Sequence, residues 1–338
     1  MSALAEPRIT EARITGTPKK EPRTVDPETD CCLRQVEVAP PEELANKLAP
    51  FRACAIGPSA APVVVVLGGI SATPEVVAPA GDETWWKGVV GRGCAVDPDR
   101  VRVVGIEFAA DPSGGFAPST GDQAACLCAA LDALGIARAD LVLGASYGGM
   151  VALALAAERP ERVGRVAAIS APASPHPFAS AQRELQRRVV ALGLESGRGA
   201  EALSIARGLG MTCYRTAEEF GARFASGIEG SAPTDASPAG AYLRARGDGF
   251  DAVMSPGRFL SLSASIDRHR VDPRAIRVPV TVIGAAEDRL VPLEQLEDLA
   301  AALPDARFHA ISSLYGHDAF LKEPRAIASL VAPLVPGL

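Results

Sequence analysis

Runs of apolar residues recur along this chain at strand length, and helical patterns lie between them. The runs at residues 62–67, 101–108 and 141–143 are rich in valine and leucine, which is typical of strands buried on both faces of a parallel sheet. A helical pattern at residues 121–135 separates the second run from the third. Strands that alternate with helices in this way predict an α/β fold with a mostly parallel, doubly wound sheet.

The chain before residue 62 has a different character. Residues 1–30 are polar and rich in proline, with charges of both signs, and predict a flexible N-terminal tail. Residues 33–38 alternate between apolar and polar, which favours an edge strand, and residues 52–56 are its expected hairpin partner. Because we find no apolar run of signal-peptide or membrane-span length, we expect a cytoplasmic protein.

The pattern changes again between residues 173 and 271, where no valine-rich strand pattern occurs. Helical patterns occupy residues 179–194, 200–209, 217–224 and 256–266, and strand patterns return at 278–284 and 307–311. We therefore predict a flexible tail over residues 1–30, a first part of the core over 31–172, an inserted helical lid over 173–271 and a second part of the core over 272–338.

A Gly-x-Ser-x-Gly motif, residues 144–148, joins the strand pattern at 141–143 to a helical pattern that ends near Pro160. A sharp turn in this position exposes its apex side chain, here Ser146, above the end of the sheet. This context predicts a nucleophile elbow. The alternative is a glycine-rich turn with an incidental serine, since the chain contains 32 glycines.

A serine nucleophile needs a base to take its proton, and the chain offers only four histidines. His309 lies on a predicted strand, and His176 and His269 lie in the predicted lid. His317 follows the strand pattern at 307–311, at the edge where open α/β sheets place their sites. We therefore predict that His317 is the base.

The acid that orients this histidine is expected beyond a neighbouring strand. Asp288 lies just past the strand pattern at 278–284, with Glu287 as the competing carboxylate. The chain order Ser146, Asp288, His317 is that of the α/β hydrolases. The three residues therefore predict a Ser-His-Asp triad, in which the carboxylate holds the imidazole in the correct tautomer.

Two glycines follow the strand at residues 62–67 and suggest the second part of such a site. Backbone N–H groups of Gly68 and Gly69 can turn towards a ligand. In an α/β-hydrolase fold this loop supplies one donor of the oxyanion hole. An ordinary tight turn between strand and helix is the alternative.

Composition excludes several other classes of function. The net charge is −6 with no basic patch, so we expect no nucleic-acid partner. The seven cysteines are scattered, without Cys-x-x-Cys pairs or histidines at metal-ligand spacing. We therefore expect reduced thiols, no metal and no redox cofactor.

Several segments carry a more specific resemblance. Residues 316–321, Gly-His-Asp-Ala-Phe-Leu, resemble the histidine motif of the homoserine O-acyltransferases of the MetX type, a family of the α/β-hydrolase superfamily. Residues 288–292 resemble the family's Asp-x-Leu-x-Pro segment, and the elbow ends in Gly-Gly-Met as the family's does. The helix at 185–190 and the segment 211–215 resemble two lid segments. The similarity covers about residues 60–338.

The resemblance implies a ping-pong acyl transfer. Ser146 would take an acyl group from acyl-CoA, the co-substrate, and L-homoserine would receive it on its hydroxyl in methionine biosynthesis. Backbone N–H groups of Tyr147 and of the Gly68-Gly69 loop would hold the oxyanion. Arg187 matches the family's carboxylate-binding arginine, and Asp318 matches the residue that meets the ammonium group of the substrate. The family's habit also suggests a homodimer.

The chain departs from the family pattern at two points near the predicted site. The oxyanion loop has Gly68-Gly69-Ile70 where the family usually has Thr-Gly and serines, and Tyr147 replaces a methionine. The chain is most similar to a short branch often assigned to succinyl transfer, so succinyl is slightly favoured over acetyl. Alternatives are serine as acceptor, an ester or thioester hydrolase, a non-catalytic binding protein, and a solvated Arg187 without a binding role.

Overall fold

The computed structural model describes residues 33–77, 84–228 and 230–337. The predicted tail at residues 1–30 lies outside these ranges. The described residues form one eight-stranded sheet with the order β1-β2-β4-β3-β5-β6-β7-β8. Its strands are β1 (Arg34–Val38), β2 (Phe51–Ile56), β3 (Val63–Leu67), β4 (Arg102–Ile106), β5 (Leu141–Ala145), β6 (Val166–Ile169), β7 (Val280–Ala285) and β8 (Ala306–Ile311). Strand β2 is antiparallel to both neighbours, and the other pairs are parallel.

Helices pack on both faces of this sheet, and further helices form the segment between β6 and β7. The helices of the described residues are α1 (Thr120–Ala133), α2 (Tyr147–Glu158), α3 (Pro177–Glu195), α4 (Gly199–Tyr214), α5 (Ala217–Arg223), α6 (Pro238–Gly247), α7 (Pro256–Asp267), α8 (Leu293–Ala302), α9 (Ala319–Lys322) and α10 (Pro324–Val331). Side chains of β3 alternate between the two core layers, with Val65 and Leu67 in one and Val64 and Val66 in the other. Burial on both faces explains why the central strands are continuous apolar runs.

Between β6 and β7, the described residues form helices α3 to α7 and no strand. The segment that we name the lid is residues 173–271, and its function as a lid stays a prediction. Helix α6 was not predicted, because the serine, alanine and proline of residues 231–240 favour a loop. In the structure Ser237 accepts a hydrogen bond from the N–H of Gly240, and Pro238 lies in the first turn. These residues are helix-start signals as well as loop residues.

His269 fastens the end of the lid to the core. Its Nδ1 lies 2.8 Å from Oγ1 of Thr120, the first residue of α1, and its Nε2 lies 2.9 Å from the carbonyl of Pro172. A carbonyl only accepts, so Nε2 carries a proton. Burial lowers the pKa of His269 to about 4, so the imidazole is neutral at neutral pH and its Nδ1 accepts from the threonine hydroxyl.

This buried imidazole should make the free energy of unfolding depend on pH. Since the folded pKa of His269 lies below the ordinary value of 6.5, the unfolded chain binds more protons between these two values. The stabilisation is fully present above about pH 6.5 and is lost as the pH falls towards about 4. A shift of this size corresponds to about 3 kcal/mol.

Urea unfolding at neutral and mildly acidic pH measures the effect. The variant His269→Gln should be less stable than the wild type at neutral pH and should lose less stability on acidification. The matched control is His309→Gln, because His309 lies half-buried on β8. A variant that keeps the full pH dependence of the wild type would contradict the assignment.

Candidate active site

The predicted elbow joins β5 to α2. Ser146 has φ 54° and ψ −120°, a conformation that is costly for a residue with a side chain. Two backbone hydrogen bonds hold the turn, from the N–H of Ser146 to the carbonyl of Ile169 and from the N–H of Gly148 to the carbonyl of Gly68. The serine side chain is thereby placed at the C-terminal edge of the sheet.

The glycines of the motif are required by close approach of the backbone. A Cβ on Gly144 would lie 2.3 Å from the carbonyl oxygen of Gly148, and one on Gly148 would lie 2.4 Å from that of Leu67. A Cβ on Gly149 would lie 2.5 Å from the Cβ of Ala171. No side chain fits at these distances, so strand and helix can meet at this sharp turn only with glycine at these positions.

The three residues of the predicted triad form a continuous hydrogen-bonded row. Ser146 Oγ lies 2.8 Å from His317 Nε2, and His317 Nδ1 lies 2.7 Å from Asp288 Oδ2. The other oxygen of Asp288 accepts from the N–H groups of Leu290 and Val291. Asp288 is 4% exposed and His317 7% exposed, so both groups work away from bulk water.

Glu287, the competing carboxylate, points elsewhere. It accepts hydrogen bonds from the Ser312 hydroxyl and from the N–H of Ser313, 2.7 Å away. Burial alone would raise the pKa of Glu287, but these hydrogen bonds outweigh it and lower the pKa. Glu287 therefore braces the loop that leads to His317 and does not contact the imidazole.

Opposing influences act on the base. Burial alone would lower the pKa of His317, but the charge and hydrogen bond of Asp288 outweigh it and raise the pKa above its ordinary value. Asp318 adds to the increase, and Arg183 opposes it. A raised pKa makes the imidazole a stronger base for the serine proton, and Asp288 stabilises its charged form.

The residues predicted for the oxyanion hole have different positions. Gly69 lines the cavity beside Ser146, and a Cβ built on it would meet nothing within 4 Å. Among the described residues, the N–H groups of Gly69 and Tyr147 donate no backbone hydrogen bond. Gly68 instead packs on Trp85 and braces the elbow through its carbonyl. Of the three residues predicted for an oxyanion hole, Gly69 and Tyr147 are the two that line the cavity, and their role as donors stays a prediction.

A cavity of about 230 Å³ lies between the sheet edge and the lid. The core contributes Gly69, Ile70, Trp85, Ser146, Leu290, His317 and Asp318 to its wall, and the lid contributes Gln182, Arg183, Gln186, Arg207, Tyr214 and Phe250. The core side is thus largely apolar around the serine, while the lid side supplies two cations. Such a cavity suits a small substrate with both apolar and charged parts.

Asp318, the predicted ammonium-binding residue, lies on this wall. Its Oδ2 accepts a hydrogen bond of 2.6 Å from Nε of Arg215 in the lid. The buried Arg215 also pairs with Glu219. The other oxygen of Asp318 accepts from none of the residues that the structure describes, and it remains available to a cation in the cavity.

Arg187, the predicted carboxylate-binding residue, does not reach the cavity wall. Its guanidinium lies 2.7 Å from Asp267 Oδ2 and 3.0 Å from the carbonyl of Ser263, both on α7. Arg183, one turn earlier on α3, lies on the wall and shares Asp267. The binding role of Arg187 therefore has no support in this geometry.

Arg207 on α4 lies on the cavity wall and, like Arg183, was not predicted from the sequence. Its guanidinium lies over the rings of Phe250, at 4.8 Å, and Tyr214, at 5.8 Å. In the described part of the chain, no carboxylate pairs with it. Arg207 and Tyr214 are seven residues apart on one helix, and this spacing, which puts both on one face, was the available signal.

Two further observations concern ions and membranes. In the ranges that the structure covers, no three His, Cys, Asp or Glu side chains are grouped as metal ligands. No helix in those ranges has the length and apolar character needed to cross a bilayer.

The family model for the alpha/beta hydrolase fold matches residues 62–324. A homoserine O-succinyltransferase of Xanthomonas campestris is 42% identical over 79% of this chain and 74% of its own length. A homoserine O-acetyltransferase of Deinococcus radiodurans is 32% identical over 73% of this chain and 76% of its own.

Solved structures share the fold at lower identity. A homoserine O-acetyltransferase from Bacillus anthracis has a TM-score of 0.77 at 15% identity, covering 90% of this chain and 97% of that one. Esterase E22 has a TM-score of 0.78 at 16% identity, covering 89% and 99%. Transferase and hydrolase thus share one architecture, and the structural likeness confirms the predicted fold alone.

The sequence relatives decide between these classes. The 42% identity extends over most of the chain, and both curated relatives named above are acyltransferases. The resemblance drawn from the histidine motif and the elbow is thereby confirmed. This chain is an acyltransferase, and it belongs to the homoserine O-acyltransferase family of the α/β-hydrolase superfamily.

Proposed function

We propose that this enzyme transfers an acyl group from acyl-CoA to the hydroxyl of L-homoserine, a step of methionine biosynthesis, through an ester of Ser146. The observation that carries the proposal is the hydrogen-bonded row Ser146-His317-Asp288 in a cavity that also holds Arg207 and Asp318. A hydrolase needs the row alone. The added cation and carboxylate match the two charged ends of an amino-acid acceptor.

The first half-reaction forms the acyl-enzyme. Ser146 Oγ attacks the thioester carbonyl carbon while its proton moves to Nε2 of His317. The N–H groups of Tyr147 and Gly69 stabilise the oxyanion. Collapse breaks the C–S bond, the departing thiolate of CoA takes the proton from His317, and the acyl ester of Ser146 remains.

The second half-reaction runs the same steps with an alcohol. The homoserine hydroxyl gives its proton to Nε2 of His317 and attacks the ester carbonyl carbon. Collapse breaks the bond to Ser146 Oγ, which regains the proton from His317. The O-acylated amino acid leaves, and the free serine is restored. Water follows the same path in a hydrolase, so exclusion of water by the lid is needed for transfer.

We assign the acceptor carboxylate to Arg207 in place of Arg187, and the ammonium group to Asp318. Arg207 faces the cavity and has no carboxylate partner among the described residues, whereas Arg187 is held by Asp267 outside the wall. A guanidinium presents two parallel donors to a carboxylate. Arg215 holds one oxygen of Asp318 and leaves the other for the ammonium group.

The variant Arg207→Ala should lower kcat/KM for homoserine by about tenfold to a hundredfold, because a charge-assisted hydrogen bond is lost. The burst of CoA without homoserine should persist, since acylation of Ser146 does not use the acceptor site. Rapid-mixing measurement of CoA followed by steady-state turnover separates the two effects. Arg187→Ala is the matched control, and a larger homoserine defect there would restore the assignment made from sequence.

The wild-type enzyme itself tests transferase against hydrolase. Acetyl-CoA or succinyl-CoA is incubated with homoserine, with serine or with neither, and CoA and acylated amino acid are measured. Homoserine should stimulate CoA release and appear as its O-acyl ester. A CoA release that is indifferent to homoserine at every concentration identifies a thioesterase, and preferential acylation of serine would change the acceptor.

A homodimer and a cytoplasmic location remain part of this proposal. Helix α3 exposes Phe178, Leu185 and Leu192, which are seven residues apart and therefore share a face. Helix α4 exposes Ile205 and Leu209 beside it. Apolar side chains at this spacing are typical of helices that pair with other helices. They support the predicted homodimer, and we propose the exposed faces of α3 and α4 as its contact.

A further inference from the structure

The cavity contains a second arginine for which the amino-acid acceptor has no use. Arg183 lies on the cavity wall and its side chain is 13% exposed. A homoserine zwitterion has one carboxylate and one ammonium group, and Arg207 and Asp318 already match these two charges. Arg183 is therefore a cation in excess of what the acceptor requires.

Asp267 satisfies only part of this guanidinium. Nε and Nη2 of Arg183 donate to the same oxygen of Asp267, at 2.9 and 2.6 Å, and Nη2 also reaches Ser180 Oγ at 3.3 Å. Nη1 of Arg183 donates to none of the residues that the structure describes. Two N–H groups of Arg183, which lines the cavity, are thus left to donate to an anion there.

The charge of this cluster points in the same direction. The second oxygen of Asp267 accepts from Arg187 at 2.7 Å. One carboxylate therefore faces two guanidinium groups, and the cluster of Arg183, Arg187 and Asp267 has a net charge of +1. A partly buried net positive charge is stabilised when an anion enters beside it.

We propose that Arg183 binds the free carboxylate of a dicarboxylic acyl donor such as succinyl-CoA and determines the preference of the enzyme for such donors. This inference rests on the proposed function, since the donor's acyl group must reach Ser146 in the same cavity. An acetyl group offers Arg183 no partner. Arg183 is also close enough to the catalytic centre for its charge to oppose the raised pKa of His317.

The experiment compares donors that differ in charge. Succinyl-CoA and butyryl-CoA carry acyl chains of equal carbon number, one ending in a carboxylate and the other in a methyl group. The quantity measured is the ratio of kcat/KM for succinyl-CoA to that for butyryl-CoA, taken from CoA release with homoserine absent and present. The wild-type ratio should exceed one, and Arg183→Gln should lower it by about tenfold to a hundredfold.

The matched control is Arg187→Gln, which removes a donor from the same Asp267 but lies outside the cavity wall. It should change the rates for both donors in parallel and leave the ratio unaltered. Arg183→Lys keeps the charge and should retain part of the preference. Thermal unfolding of each variant identifies a folding defect, and Arg183→Lys then decides whether the charge matters.

Three results would overturn the inference: a wild-type ratio below one, an unaltered ratio in Arg183→Gln, or an equal fall of the ratio in Arg187→Gln. Each of them leaves acyl transfer to homoserine intact. A wild-type enzyme that releases no CoA from any donor overturns the proposed function, and the role of Arg183 with it. Transfer with a ratio below one overturns only the dicarboxylic preference.

Discussion

Replacing Ser146 with alanine should abolish the burst of CoA and lower turnover by roughly a thousandfold or more, because no other group can accept the acyl chain. The fold should persist, since alanine is smaller than serine and the elbow is held by backbone bonds of Gly148 and Ser146 itself. Rapid-mixing measurement of CoA checks the activity, and thermal unfolding checks the fold.

The turnover of His317→Ala should fall about as far as that of Ser146→Ala, and the turnover of the double variant should fall little further. The two side chains act on one proton, so removal of either removes the same step. His309→Gln on β8 is the matched control and should retain activity. A double variant whose loss is the product of the two single losses would show that Ser146 and His317 act independently, contrary to the triad.

The second large effect is expected for Asp288→Asn. Oδ1 of Asp288 accepts two backbone N–H groups, and in asparagine only the amide oxygen can take that place. The NH₂ group must then face Nδ1 of His317, which is forced to accept. The proton of the neutral imidazole moves to Nε2, which can no longer take the proton of Ser146. Turnover should fall by roughly a thousandfold or more.

The pH profile supplies an independent measure of the same contact. The neutral imidazole is the active base, so the acylation rate should fall as the pH drops through the raised pKa of His317. Burial lowers that pKa and Asp288 raises it. The residual activity of Asp288→Asn should therefore decline at a lower pH than the activity of the wild type. Glu287→Gln should leave the profile in place. A shifted pH profile in Glu287→Gln instead would identify Glu287 as the carboxylate that orients His317.

Sequence patterns were sufficient for most of the architecture. Valine runs identify the central strands because helices cover both faces of the sheet, and the histidine in the loop after β8 is the base candidate because chain order and strand ends are both visible in the sequence. Helix α6 was not predicted, because Ser237 and Pro238 begin a helix as readily as they form a loop.

The charged residues that line the cavity could not be predicted from sequence patterns in the same way. Arg183, Arg187 and Arg207 lie on half-exposed helices, and which of them faces the cavity depends on how each helix is rotated against its neighbours. For α3, this rotation is fixed by the hydrogen bonds of Arg183 and Arg187 to Asp267, which lies 80 or more residues away in the sequence. Likewise, Asp288 and Glu287 are adjacent, and only the path of their loop turns one of them towards His317.

The ion pair of Arg215 with Asp318 has a consequence for the fate of the acyl group. Arg215 belongs to the lid and Asp318 to the loop of the predicted base, so a lid that opened would have to separate the arginine from the aspartate. Opening would then expose the proposed Ser146 ester to water and weaken the proposed contact with the ammonium group. On this proposal we expect the ratio of synthesis to hydrolysis to depend on how long the lid stays closed, and we expect hydrolysis to be most evident when homoserine is scarce.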